Sequence, residues 1–161
     1  MSLTIEHKGF LRQVQRTLQY HSLLDPNSRV LIACSGGVDS LALVHALLAL
    51  REHMKKRWTL AIATVDHEIR PEGAAELELV RSMADDLGLP FYGAHIDVPA
   101  QAQALGLSLE MAGRRARYAF LSKIALEEDY DVVATGHHQN DQAETILAHM
   151  VRGAGLDRKS V

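Results

Sequence analysis

The spacing of apolar and polar positions changes several times along the chain. From Leu3 to about His21, Phe10, Leu11, Val14 and Leu18 recur at helical spacing. The turn-forming cluster Asp25-Pro26-Asn27-Ser28 follows, and then the unbroken run RVLIAC (29–34) predicts a buried strand. Helical spacing returns after Asp39 and runs to about Arg57. WTLAIATVD (58–66) predicts a second strand. Arg70-Pro71-Glu72-Gly73 breaks the chain before a helix that ends at Gly88, with Pro90 beyond it as a stop. FYGAHI (91–96) predicts a third, weaker strand and Val98 to Gly106 one short helix. Ser108 is the expected N-cap of a long helix over 109–129, and DVVATG (131–136) a fourth strand. Ala143, Ile146, Leu147, Met150 and Val151 share one face of a last helix expected from about Asn140 to Val151.

Strands alternating with helices require crossover connections. The expected fold is therefore α/β: a doubly wound, mostly parallel sheet with helices on both faces, Rossmann-like. Such sheets bind ligands beyond the carboxyl ends of their strands. Three polar clusters fall there: Ser35 to Ser40 after the first strand, Asp66 to Arg70 after the second, and Gly136 to Asp141 after the fourth. A glycine-rich turn needed only for geometry would not predict that convergence.

Composition narrows the picture. The 161 residues suffice for one domain, and with 47% hydrophobic but only 5% aromatic residues the core must be aliphatic. A net charge of −3 does not mark a free-standing nucleic-acid binder. Basic clusters occur at Arg51, Lys55, Lys56 and Arg57, at Arg114, Arg115 and Arg117, and at Arg152, Arg158 and Lys159. One cysteine, Cys34, excludes a disulfide framework or a CxxC pair within this sequence, and buried packing is its expected role. The longest apolar run, Leu41 to Leu50, is far short of the roughly 20 residues a bilayer requires. The expectation is a soluble cytoplasmic protein with no membrane association.

The first polar cluster, Ser35-Gly36-Gly37-Val38-Asp39-Ser40, carries the chemistry. Gly36 and Gly37 let a ligand approach the main chain, and successive N–H groups at a helix start form an anion-binding concavity. Ser35 and Ser40 add hydroxyls. The carboxylate of Asp39 would repel phosphates unless Mg²⁺ lies between them, which makes Asp39 the expected metal ligand. The loop lacks the lysine of GxxxxGK[ST] and the spacing of GxGxxG.

SGGVDS after an apolar strand resembles the pyrophosphate loop of the N-type ATP pyrophosphatases, the PP-loop superfamily of adenine nucleotide alpha hydrolase-like folds. Three further stretches narrow the likeness. VDHEIRPEGAAE (65–76) resembles the VDHxLRPES..E segment of the tRNA(Ile)-lysidine synthetase family. SLEMAGRRARYAFL (108–121) resembles its E-x-x-AR-x-x-RY segment, with Gly113 where alanine is usual. ATGHHQNDQAETILAHMVRGAG (134–155) is similar to its GHHxxDQxET…RGsG block. The resemblance implies ATP and Mg²⁺ as cofactors and tRNA(Ile) and free lysine as substrates. Such enzymes adenylate carbon 2 of the wobble cytidine with release of pyrophosphate; the lysine ε-amine then displaces AMP to give lysidine. A non-catalytic ATP-binding module, or an enzyme of the same loop with an amidation or thiolation acceptor, remains the alternative.

The resemblance assigns ATP-binding roles to Ser35, Gly36, Gly37, Val38, Asp39, Ser40, His67, Arg70 and Gly136, and catalytic roles to Asp39, Arg114 and His138. For His67 and Arg70 a strand-end cap and a solvated loop charge are equally good accounts. Arg114 and Arg117 lie one helical turn apart and could neutralise a phosphate, with function favoured for Arg114 over an ion pair with Glu110. His138 is expected near the leaving pyrophosphate; a zinc site from His137, His138 and Asp141 ranks low without a fourth ligand. Asp141 and Glu144 suit either a helix cap or a hold on the lysine amine. The expected organisation is one ATP-pyrophosphatase domain over 1–161, with an N-terminal helix and linker over 1–28 and the nucleotide-binding core over 29–155. The family's C-terminal tRNA-recognition domains are not in this sequence, so the chain need not be active alone, and a homodimer is left open.

Overall fold

Val30, Ile32 and Cys34 turn to one side of the first strand and Leu31 and Ala33 to the other, and Val30, Leu31 and Ile32 have no solvent exposure. A strand buried on both faces belongs at the centre of a parallel sheet, and the topology places it there. The computed structural model describes residues 5–137, 147–148 and 151–152, with side chains over 8–136. Its elements run α1 (Ile5–Tyr20), β1 (Arg29–Ala33), α2 (Val38–His53), β2 (Thr59–Asp66), α3 (Gly73–Asp86), β3 (Phe91–His95), α4 (Val98–Leu105), α5 (Leu109–Glu127) and β4 (Val132–His137). Two short strands follow, β5 (Leu147–Ala148) and β6 (Val151–Arg152).

The parallel strands lie in the order β3-β2-β1-β4. The α/β expectation holds. β1 is flanked by β2, with Leu31 opposite Ala61, and by β4, with Leu31 opposite Val133. The strand order reverses direction between β1 and β4, which opens a crevice at their carboxyl ends. On one face Val30, Ile32, Leu60 and Ile62 pack with Leu43, Leu47 and Leu50 of α2, Val80 of α3 and Val14 and Leu18 of α1. On the other, Leu31, Ala61, Ala63 and Val133 pack with Leu121 of α5. Val98 and Ala102 of α4 cover Ala112 and Ala116 of α5.

Element ends follow local chemistry. The Ser108 hydroxyl accepts the Met111 N–H at 3.2 Å and caps α5 as expected. Asp97 caps α4 by accepting the Ala100 N–H at 2.8 Å. α2 stops at His53 rather than near Arg57, because Lys55 takes a left-handed φ of 50° and the Lys56 N–H turns back to the Arg51 carbonyl.

One expectation is corrected. The helix predicted from Asn140 to Val151 is contradicted where that stretch is described: Leu147–Ala148 and Val151–Arg152 are extended and pair antiparallel with β4. Residues 138–146 and 149–150 lie outside the described residues. The physical reason is the outer side of β4, a row of N–H and C=O groups that needs partners. Apolar residues such as Leu147 and Val151 satisfy a helical face and a pairing edge equally well, and the pairing wins.

Candidate functional site

The loop after β1 is closed by Ser40. Its hydroxyl donates to the Gly37 carbonyl at 2.8 Å and accepts the Ser35 N–H at 3.2 Å, and the residue is buried. Gly36 has a φ of 79°, a left-handed conformation that favours glycine. Gly37 is the N-cap of α2 with no side chain to cap it, so the helix presents its first amides uncapped. The end of β1 is fixed from the next strand, where Thr64 Oγ1 donates to the Cys34 carbonyl at 2.8 Å. Cys34 is buried, as expected.

Gly136 explains why this loop sits so close to β4. A Cβ there would lie 3.2 Å from the Asp39 carbonyl oxygen and 3.4 Å from the Ser40 Cα. The absent side chain lets the start of α2 rest on the end of β4.

A cavity of about 350 Å³ occupies the crevice between the carboxyl ends of β1 and β4. Ser35, Asp39, Ser40, His67, Arg117 and Gly136 are among its lining residues, drawn from four separate parts of the chain. That volume is within the range of small-molecule and cofactor sites. Two of the lining side chains carry buried polar atoms without hydrogen-bond partners, His67 Nε2 and Arg117 Nε. Native structures rarely leave such groups unmatched; Arg117 Nε suits a ligand acceptor, and His67 Nε2 donates or accepts according to its tautomer. Burial is the largest cause holding the His67 imidazole below its usual pKa; the neighbouring Arg117 charge adds to it, against the Gly113 backbone and the Asp66 carboxylate.

A second cavity, of about 240 Å³, opens beside the first, and Ser35 and His67 line both. Asp66, Arg70, Gly73 and Glu76 complete its polar wall. Burial pushes the Asp66 carboxyl up, but the Glu68 N–H at 2.9 Å and His95 Nδ1 at 3.0 Å outweigh burial and hold it below the ordinary carboxylate value. A Cβ at Gly73 would overlap the Asp66 carboxylate, so the start of α3 packs directly on that acid.

The expected residues divide accordingly. Ser35, Asp39, Ser40, His67 and Gly136 come together around the first cavity, and Arg70 lines only the second. Arg70 is exposed and paired with Glu76 at 3.2 Å, the loop charge the sequence left open. Val38 is 83% exposed, so any part it takes is through its main chain. Arg114 is exposed, stacks 5.0 Å from the Tyr118 ring centroid, and is in neither cavity wall; Arg117, weighed second, is the arginine in the first. The signal that separates them is the helical register set by Ala112, Ala116 and Leu121, all buried. His138, Asp141 and Glu144 lie outside the described residues, as does the side chain of His137.

Asp39 is suited to a cation held mainly by phosphates. It lies among the loop hydroxyls, and among the described residues no group of three or more His, Cys, Asp or Glu could hold a metal without a ligand's help. No helix of the described residues is long and apolar enough to cross a membrane.

Comparison with known proteins places the chain in a family. The chain is 39% identical over 145 residues to the tRNA(Ile)-lysidine synthase of Thermosipho africanus, covering 90% of this chain and 34% of that protein. It is 42% identical over 146 residues to the tRNA(Ile)-lysidine synthase of Geobacter sulfurreducens, covering 90% and 30%. For the Synechococcus enzyme of the same name the values are 41% over 147 residues, covering 91% and 42%. The chain thus spans less than half the length of these relatives. Among solved structures, the U34-tRNA thiolase NcsA from Methanococcus maripaludis shares the fold, with a TM-score of 0.65 at 22% identity, covering 81% of this chain and 45% of that one. Residues 8–160 match the family model described as the PP-loop domain, and the chain belongs to that family.

Proposed function

We propose that this chain is the ATP-using part of a tRNA(Ile)-lysidine synthase. ATP would lie along the crevice with its phosphates on the amides and hydroxyls of residues 35–40, and Asp39 would hold Mg²⁺, which would supply positive charge to offset the phosphates. Arg117 would face the charge that develops on the phosphorus under attack. Carbon 2 of the wobble cytidine would be activated through its oxygen, which takes the adenylyl group as pyrophosphate leaves. The lysine ε-amine would then form the new carbon–nitrogen bond and AMP would depart. Each step makes one bond and breaks one, and no oxidant or reductant is needed.

The observation that carries this reading is the single cavity in which the loop, His67 and Arg117 meet with two buried nitrogens unmatched. The relatives named above support the choice of acceptor. Cys34 lines the cavity, but it is the one cysteine in the sequence and has no second cysteine here to pair with for sulfur transfer. His138, expected near the leaving pyrophosphate, and Asp141 and Glu144, suited to a helix cap or a hold on the lysine amine, belong to the same proposal. A cytoplasmic setting also fits a tRNA-modifying role.

The test uses the full reading frame that contains this chain. With α-labelled ATP, Mg²⁺, lysine and isoleucine tRNA, AMP and lysidine are expected in equal amounts, the nucleoside identified by mass. ATP binding without AMP release under those conditions would return the chain to a nucleotide-binding module. AMP release with a different nucleoside mass would reassign the acceptor.

A further inference from the structure

The outer face of α1 has no part in the site described above. Its inner face is committed to the core: Val14 and Leu18 are buried, and Phe10 and Leu11 pack against the same cluster. The opposite face carries Lys8, Arg12 and Arg16 at four-residue spacing, all exposed, followed by Tyr20 at 85% exposure. Asp and Glu number 20 in this chain, yet none falls between His7 and Leu24. Among the described residues, no ion pair engages any of the three cations. Arg12, Gln13, Arg16, Thr17, Gln19 and Tyr20 line an open groove along this face.

Four residues of α-helix advance about 6 Å. The three cations therefore form a ladder with steps close to the spacing of successive phosphates on a nucleic-acid strand. Gln19 adds hydrogen-bond donors, and Tyr20 offers a ring on which a base can stack. A membrane surface is the other anionic partner to weigh. A helix that lies on a bilayer inserts an apolar face, and the apolar face of α1 is already spent on α2 and the sheet. The charge of the whole chain is −3, so attraction to a polyanion must come from a local surface of this kind.

We propose that the outer face of α1 binds the phosphate backbone of RNA, with Lys8, Arg12 and Arg16 as the contacting cations and Tyr20 at the end of the track. This extends the proposed function, because it takes RNA as what the site acts on. It is a positioning surface with no part in the chemistry.

The experiment measures binding of a fluorescein-labelled anticodon stem-loop to the chain by anisotropy across a salt series. It compares the native protein with R12E/R16E and with the control K55E/R57E, which changes charge equally at the end of α2. R12E/R16E is expected to lose at least about tenfold in affinity, and its slope of log K against log salt to fall by about two, while the control changes about twofold or less. Unchanged melting temperature and unchanged ATP binding would establish that the variant is folded; R12Q/R16Q replaces it if it is not. Four results would overturn the proposal: no RNA binding by the native chain, equal loss in the control, no change in R12E/R16E, or tighter binding to phosphatidylserine vesicles than to RNA. The proposed function is judged apart from these by AMP and lysidine formation at saturating tRNA, which the α1 substitutions should leave intact.

Discussion

His67, just past the end of β2, and Arg117, two turns into α5, each place a buried nitrogen without a hydrogen-bond partner in the wall of one cavity. A buried polar group left unmatched costs about 1–3 kcal/mol. A ligand that supplies hydrogen-bond partners to both nitrogens meets that demand at this crevice.

Arg117→Met keeps the aliphatic stem and removes the cation. ATP affinity or kcat/KM is expected to fall about 10- to 100-fold, with the melting temperature unchanged or slightly raised. Arg114→Met should stay within about threefold, because Arg114 is exposed against Tyr118 and lines neither cavity. Binding isotherms on the two variants decide the ranking, and a larger loss at Arg114 would reverse it.

The lowered pKa of His67 has a definite sign in stability. Its ordinary value is 6.5, and the folded state holds it below that. As pH falls through the ordinary value the unfolded chain takes up a proton that the folded chain does not, so stability drops until the folded pKa is passed. Melting curves from about pH 7.5 down to about pH 5 should show a component of this loss that is absent in His67→Gln. A bound phosphate chain favours the imidazolium, so the gain in melting temperature from ATP should grow over the same window. A gain that shrinks on acidification would place the phosphates away from His67.

Two glycine substitutions should behave oppositely. Gly113 lies inside α5, and a Cβ there would meet its neighbours at 3.7 Å or more, ordinary contact distance. Gly113→Ala should stabilise by about 0.5–1 kcal/mol, because alanine is the better helix former. Gly136→Ala puts a Cβ 3.2 Å from the main chain at Asp39. It should destabilise by about 1–3 kcal/mol and weaken ATP binding by at least about tenfold, since the loop must shift. Denaturant melts of both read the difference.

Asp39→Asn separates ligand binding from folding. Asp39 sits at the start of α2 and lines the cavity, and is not among the buried side chains. Mg²⁺-dependent ATP use should drop about 100-fold or more while the melting temperature moves by a few degrees at most. A large fall in melting temperature with normal ATP use would assign the carboxylate to the fold.

The sequence was most legible where one physical demand dominates. The run RVLIA is apolar at nearly every position because β1 is buried on both faces, and the Ser108 cap announces α5 by residue type alone. Ser35, Asp39, Ser40, His67 and Gly136 stand in polar clusters at strand ends, their binding roles come from the family resemblance, and the fold brings them together. A motif gives residue types and does not rank Arg114 against Arg117 by depth, because the depth of each on α5 depends on which face the sheet buries. The segment beyond β4 was misread for a related reason: pairing with an unfilled strand edge leaves little trace in the apolar period of the segment that fills it.

The two short antiparallel pieces on β4 also determine how this sheet can grow. They occupy the margin next to the nucleotide crevice, so a strand donated by another protein cannot enter there without first displacing them. Among the described strands, β3 is the margin at the other end of the sheet. Its Phe91–His95 edge offers sheet extension a longer run than the two-residue β5 and β6, and it lies two strands away from the loop that follows β1.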